Sequence, residues 1–291
     1  MLQVISRPHE EILKAVYRYR YMTALDVTYL LYSPKSITYV REVLSALCGG
    51  ADYQYNHYLF RFPLPQFSSG RTEKIYTLGS LGRDLFIEMG YPVEWYFRPQ
   101  KVKHLSYGFV IHSLVLTRFL VATTYFIKKR KDFKILKFYI SYELEKEGLK
   151  KATTVIPDAW ILFEEIGQTG NYSYPVLVEI DRGTEFKKQF QEHVRSRVEF
   201  IRSGAYSALF DTTAVLVAYI TTGQLPEYQR SRRVTMCHWT LELLKEMKLE
   251  KWITIFRFCG FDWNTLFDSP LIFEPVWYLP DKDKPQTLFI Q

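Results

Sequence analysis

The sequence predicts an α/β protein of the α+β kind, with a mainly helical first part followed by a mixed-sheet second part. Three observations lead there. Residues 8–47 hold three stretches of helical periodicity, followed by two short strand-like runs. From residue 133 onward, runs rich in β-branched and aromatic residues alternate with long helical stretches. The chain of 291 residues is 47% hydrophobic and 17% aromatic, with 22 Tyr and 21 Phe. That length suits roughly two domains at about 150 residues each, and so many large side chains can fill a core in both. Collagen-like, disordered and low-complexity readings are excluded.

The first ninety residues can be taken element by element. Pro8 to Tyr21 places Ile12, Val16 and Tyr19 at helical spacing, with Glu10 and Glu11 in the first turn. Thr23 is expected to cap a second helix from Ala24 to Tyr32, which Ser33-Pro34 ends, with Val27, Leu30 and Leu31 on its inner face. Ser36 is expected to cap a third helix, with Ile37, Val40, Val43, Leu44 and Leu47 on its inner face and Gly49-Gly50 as its stop. Strands are predicted over Tyr53–Phe62 and Lys74–Leu78, joined by a polar loop at 66–71. Three helices and a hairpin are the order of a winged helix-turn-helix. The run Tyr76-Thr77-Leu78-Gly79-Ser80-Leu81-Gly82 resembles the strand-to-helix junction that closes many bacterial winged-helix domains.

In that geometry the third helix would lie in a DNA major groove and offer Lys35, Ser36, Thr38, Tyr39 and Arg41. Arg61, Arg71 and Lys74 on the wing would reach neighbouring phosphates. The overall net charge of +7 favours an anionic partner. It is unevenly spread, with 11 Lys/Arg against 9 Asp/Glu in residues 1–100, 12 against 4 in 101–151, and 15 against 18 in 152–291. The near balance of the first hundred residues leaves open a winged helix used for protein contact.

The domain division expected is 1–92, a linker over 93–105 marked by Pro99 and several cations, and 106–291. Residues 109–127 form an apolar stretch ending in Lys128-Lys129-Arg130-Lys131, which imitates a membrane span. Arg118 inside it would cost about 2.5–3.5 kcal/mol near the bilayer centre, so a buried helix is expected and no membrane partner. The three cysteines, Cys48, Cys237 and Cys259, are scattered, and the first residues hold no basic segment ahead of an unbroken apolar core. Both features fit a cytoplasmic protein without disulfides or a secretory leader.

In the second half, strands are predicted over Phe133–Glu143, Thr153–Glu164, Tyr174–Asp181, Ala214–Thr221, Trp252–Cys259 and Leu271–Leu279, with helices over Glu185–Ser203 and Pro226–Met247. Two of these strands carry acids. Glu179 and Asp181 point to one face of their strand, because side-chain direction repeats every two residues. Asp158, at the start of the neighbouring strand, is placed to join them. Such carboxylates repel one another unless a cation neutralises them, and an all-oxygen set suits Mg²⁺ or Mn²⁺.

Pro157-Asp158 followed by an acid on the next strand resembles the PD-(D/E)xK nuclease fold. Together with the winged helix, Pro157-Asp158-Ala159 and the run Leu177 to Phe186, the chain resembles the replication-relaxation family of plasmid and mobile-element proteins over residues 8–260. The resemblance implies Asp158 and Glu179 as metal ligands and catalytic residues, Asp181 as an assistant, and Glu143 or Glu145 to complete the shell. The fold's catalytic lysine should stand two residues after Glu179, where this chain has Asp181. Arg182, Lys187 or Lys188 would have to replace it. The expected function is that of a DNA-binding protein of a plasmid, phage or other mobile element, acting on double-stranded DNA beside the element's replication or mobilisation proteins. Whether it is a Mg²⁺-dependent DNA endonuclease, or a non-catalytic replication factor or transcriptional regulator on a degenerate nuclease fold, stays open at this point.

Each candidate also has a plainer reading. Asp181 and Arg182 would serve as ordinary structural ion-pair partners. Lys187, Lys188, Arg195, Arg197 and Arg202 would either track a DNA backbone beside the acidic cluster or form only the solvated face of an amphipathic helix, and the Arg230-Ser231-Arg232-Arg233 cluster has the same plain reading. No phosphate loop, GxSxG or HExxH pattern occurs in the sequence.

Overall fold

The computed structural model of the chain describes residues 6–49, 57–63, 73–93, 106–153, 155–223 and 225–289. The chain is an α+β protein of two compact units, 1–125 and 126–291.

The first unit runs α1 (Arg7–Tyr19), β1 (Met22–Thr23), α2 (Ala24–Leu31), a 3-10 turn (Pro34–Ser36), α3 (Ile37–Leu47), β2 (Leu59–Pro63), β3 (Lys74–Leu78) and α4 (Ser80–Glu88). Its three strands form an antiparallel sheet in the order β1-β3-β2. Ile12, Val16, Val27, Val40, Leu44, Leu59 and Ile75 are fully buried, whereas Leu30, Leu31 and Ile37, also expected on the inner faces, are half-buried at the helix ends. Thr23 caps α2 as expected, in a capping box with Asp26. Ser36 does not cap α3. Its hydroxyl lies 3.3 Å from that of Ser33 instead, because the 3-10 turn carries the chain into the helix. Residues 50–56 and 64–72, including the predicted start of β2, the polar loop and Arg71, lie outside the described residues.

The glycines of the β3–α4 junction have a steric cause. Gly79 and Gly82 lie against the backbone of His57 and Tyr58, where an added Cβ would come within 2.0 and 2.4 Å of a carbonyl oxygen. That close approach lets the Gly79 amide donate to the Tyr58 carbonyl at 2.8 Å.

Helix α5 (Tyr107–Lys128) is the one apolar stretch long enough to cross a membrane among the described residues, and 67% of its apolar window is buried inside the protein. Most of it packs with the first unit, whereas the sequence placed it in the second. The cause is Arg118. It is 2% exposed, donates to Asp26 at 3.1 Å and to the Thr23 hydroxyl at 3.2 Å, and forms an ion pair with Glu73. A buried cation binds a helix to whichever part supplies its carboxylates. Most of the expected linker, residues 94–105, lies outside the described residues.

The second unit runs β4 (Phe133–Ile140), α6 (Ser141–Lys146), α7 (Leu149–Ala152), β5 (Ala159–Ile166), β6 (Asn171–Asp181), α8 (Lys187–Arg202), α9 (Ala205–Phe210), β7 (Leu216–Thr222), α10 (Pro226–Glu246) and β8 (Phe256–Phe261). The strands form one mixed sheet in chain order, β4-β5-β6 antiparallel and β6-β7-β8 parallel. The two parallel connections run through α8–α9 and α10, as parallel strands require a crossover. Leu177, Tyr219 and Phe258 from the sheet pack with Phe190, Val194, Met236 and Leu244 from these helices, so α8 and α10 cover one face. The predicted strand Leu271–Leu279 does not form. Pro270 precedes it and Pro275 interrupts it, and the segment turns back, leaving the isolated bridges Tyr278 to Phe258 and Trp277 to Gln286. Phe289 stacks on Phe133, Phe273 of this segment meets Phe133 edge-on, and Trp277 is fully buried.

Candidate functional site

Two groups of charged side chains stand out, one in each unit. In the second unit, β6 carries Glu179 and Asp181 toward the helix-covered face. The register ends with Ala159 of β5 opposite Val178, the Asp158 amide donates to the Val178 carbonyl at 3.1 Å, and the Asp158 carboxylate lies close enough to act on Glu179. Asp158 accepts the Ile180 amide at 2.7 Å. The structure therefore brings Asp158 and Glu179 together across two strands, and Asp181 lies two residues further along.

Each acid is already engaged. Arg197 of α8, fully buried, donates through Nε to Glu179 and through Nη1 to the carbonyl of Val155. Arg232 of α10 grips both oxygens of Asp181 at 2.9 Å each. Burial pushes the Glu179 carboxyl up to about 7, opposed by Arg197 and reinforced by the Asp158 carboxylate. Tyr219, opposite Glu179 on β7, has a buried hydroxyl with no hydrogen-bond partner among the described residues, and so has Nη2 of Arg197. At the helix edge of the cluster His193 lies 3.1 Å from Glu185, and that hydrogen bond raises its pKa.

Glu143 and Lys187 fall elsewhere. Glu143 stands in the first turn of α6 rather than on the strand, and its carboxylate accepts the Ile140 amide at 3.0 Å. Lys187 pairs with Glu242 of α10 at 2.7 Å, on the surface. The donor set as folded does not fit a divalent cation. Glu179 is neutralised by a buried guanidinium, both oxygens of Asp181 are taken, and Glu143 is spent on a helix cap. A dication beside Arg197 would meet like charge.

Arg197 and Arg232, which the sequence presents as cations on a solvated or DNA-facing helix surface, are instead the internal partners of the acids. A signal existed for both. Arg197 stands three residues after Val194 and seven after Phe190, and Arg232 four before Met236, so both occupy the apolar stripes of their helices.

The second group lies in the first unit. Arg41 of α3, Arg61 of β2 and Lys74 of β3 line one concavity of about 410 Å³, together with Ser45, Glu73 and Tyr76. Arg61 donates to the Ser45 hydroxyl at 3.4 Å. Lys35, Thr38, Tyr39 and Arg41 are exposed and Ser36 is half-buried, along the turn and the α3 face that precede this hollow. Of the expected wing cations, Arg71 lies outside the described residues.

The fold and its charged groups define an α+β protein. One unit has a helix–strand–helix–helix–strand–strand order and a cationic hollow. The other has a mixed sheet whose acids are countered by arginines. The chain belongs to the replication-relaxation family, whose model matches residues 13–213, which places it among replication- and mobilisation-related proteins. That span holds Asp158, Glu179, Asp181 and Arg197 and ends before Arg232. No curated protein and no solved structure gives a significant match.

Proposed function

We propose that the chain is a cytoplasmic DNA-binding factor of a mobile element's replication or mobilisation system, with the first unit acting as a winged helix on duplex DNA. One observation carries this reading. Arg41, Arg61 and Lys74 come from three different elements and converge on one hollow, while the nearby Glu73 is drawn toward the buried Arg118. Cations held on a helix and the adjoining hairpin suit two neighbouring phosphates of a duplex. Beside them, the exposed α3 face with Thr38 and Tyr39 would meet base edges. In the second unit, Arg197 and Arg232 give the nuclease-like carboxylates an internal counter-charge, and this unit serves as a platform for DNA or for the element's other replication proteins.

The second reading, a Mg²⁺- or Mn²⁺-dependent endonuclease, is favoured by the closeness of the Asp158 and Glu179 carboxylates. One experiment separates the two. The full chain is incubated with labelled duplex and with supercoiled DNA, with and without Mg²⁺ or Mn²⁺, beside Arg41→Ala/Lys74→Ala and Glu179→Gln. The proposal expects duplex binding that weakens in the first variant, persists in the second, and leaves the DNA intact. Metal-dependent cleavage abolished by Glu179→Gln would establish the endonuclease instead, and absence of duplex binding would remove the proposal.

A further inference from the structure

Beside α10 lies a cavity of about 820 Å³ that neither reading uses, closed on its other side by residues 275–283. Val234, Leu241, Val276 and Leu279 give it apolar walls. Arg230, Arg233 and Lys282 line it as well, against a single carboxylate, Asp283.

Arg233 is the unusual member. It is 9% exposed, and its guanidinium carbon lies 3.4 Å from the centre of the Tyr278 ring. Among the described residues it makes no hydrogen bond and no ion pair. Its neighbour in sequence, Arg232, is equally buried yet satisfied by both oxygens of Asp181. The nitrogens of Arg233 are not fully enclosed, unlike Nη2 of Arg197, so its unbonded N–H groups face the cavity, where a carboxylate or a phosphate can meet them. The tyrosine face attracts the cation but leaves its N–H groups unbonded. Planarity and five donors make arginine well matched to a phosphate. The cavity is far larger than a phosphate and falls in the size range of organic-ligand sites.

We infer that this cavity binds a nucleoside phosphate, with the phosphate on Arg233, Arg230 and Lys282 at the mouth, and the base and sugar along the apolar wall. The same chemistry is offered by a free nucleotide and by the terminal nucleotide of a nucleic-acid strand. The inference is independent of the first unit's role, so Arg41→Ala/Arg61→Ala/Lys74→Ala should keep the site intact.

Calorimetric titration of that triple variant of the full chain with dAMP, inorganic phosphate and short single strands with or without a 5′-phosphate tests it. Saturable dAMP binding is expected, weakened about tenfold or more by Arg233→Gln, the scale of one charge-assisted hydrogen bond. Arg230→Ala/Lys282→Ala changes two exposed residues and should weaken it several-fold, which decides the matter if the Arg233→Gln variant does not fold. Competition with dAMP by the 5′-phosphorylated strand alone would assign the site to a strand end, and its absence would assign it to a free nucleotide. No dAMP binding at millimolar concentration, equal affinity for inorganic phosphate, or wild-type affinity in either folded variant would overturn the inference.

Discussion

Arg197→Met isolates the interaction on which the second unit's core depends. Arg197 is fully buried and donates both to Glu179, whose side chain is 13% exposed, and to the Val155 carbonyl. The substitution keeps most of the side-chain volume, so the loss is electrostatic. Breaking a buried pair by removing one partner costs about 3–5 kcal/mol, because the other charge is left uncompensated. At a urea dependence of about 2 kcal/mol per molar, about 4 kcal/mol lowers the midpoint by about 2 M. Five of the six tryptophans lie in residues 126–291, so fluorescence follows this unit. The pH dependence adds a second signature. Glu179 holds its proton more tightly in the folded chain than its ordinary value of 4.5, up to about 7. The associated stability is full below about 4.5 and is lost as pH rises through about 7. Without Arg197 the folded value rises further, so the variant's deficit should grow between pH 5 and pH 8. In a Glu179→Gln background the same substitution should cost at least about 1 kcal/mol less. A loss below about 1 kcal/mol, independent of pH and of residue 179, would refute the reasoning.

Three further outcomes follow from the same geometry. Arg118→Met should destabilise the first unit by about 3–5 kcal/mol, since Asp26 would be left buried and unpaired by its cation; thermal denaturation checks this, with Asp26→Asn/Arg118→Met recovering part of the loss. Thr23→Ala removes the side-chain half of the α2 capping box and should cost about 1 kcal/mol in the same assay. The hydrogen bond to Glu185 raises the His193 pKa above 6.5, so its stabilisation is full below that value and is lost as pH rises through the raised one. His193→Gln should flatten that part of the stability–pH curve, and an unchanged curve would contradict the assignment.

Much of this arrangement is written in local sequence. The capping threonine, the inner faces of α1 to α3 and the paired outlook of Glu179 and Asp181 follow from periodicities of 3.6 and 2, which need no tertiary information. The closeness of Asp158 to Glu179 is legible in the sequence only as adjacency, because the antiparallel register is fixed through contacts outside either strand. The partners of the acids are less accessible. Arg197 and Arg232 stand 18 and 51 residues from their carboxylates, on helices whose polar composition suggests solvent. Glu143 is misplaced by the pattern because the alternation of β4 runs into α6 without a Gly or Pro to mark the change. The strand expected at Leu271–Leu279 fails for the opposite reason, with two prolines in and beside an apolar run outweighing its composition.

The central claim is that the first unit engages duplex DNA through Arg41, Arg61 and Lys74. It is tested most directly by the salt dependence of the full chain's affinity for a labelled duplex, followed by fluorescence anisotropy. Each phosphate contact contributes about 0.9 to the slope of log K against log salt. The account predicts a steep negative slope for the wild type that becomes shallower by about 2.7 in Arg41→Ala/Arg61→Ala/Lys74→Ala. A slope unchanged by the three substitutions, or binding insensitive to salt, would contradict it.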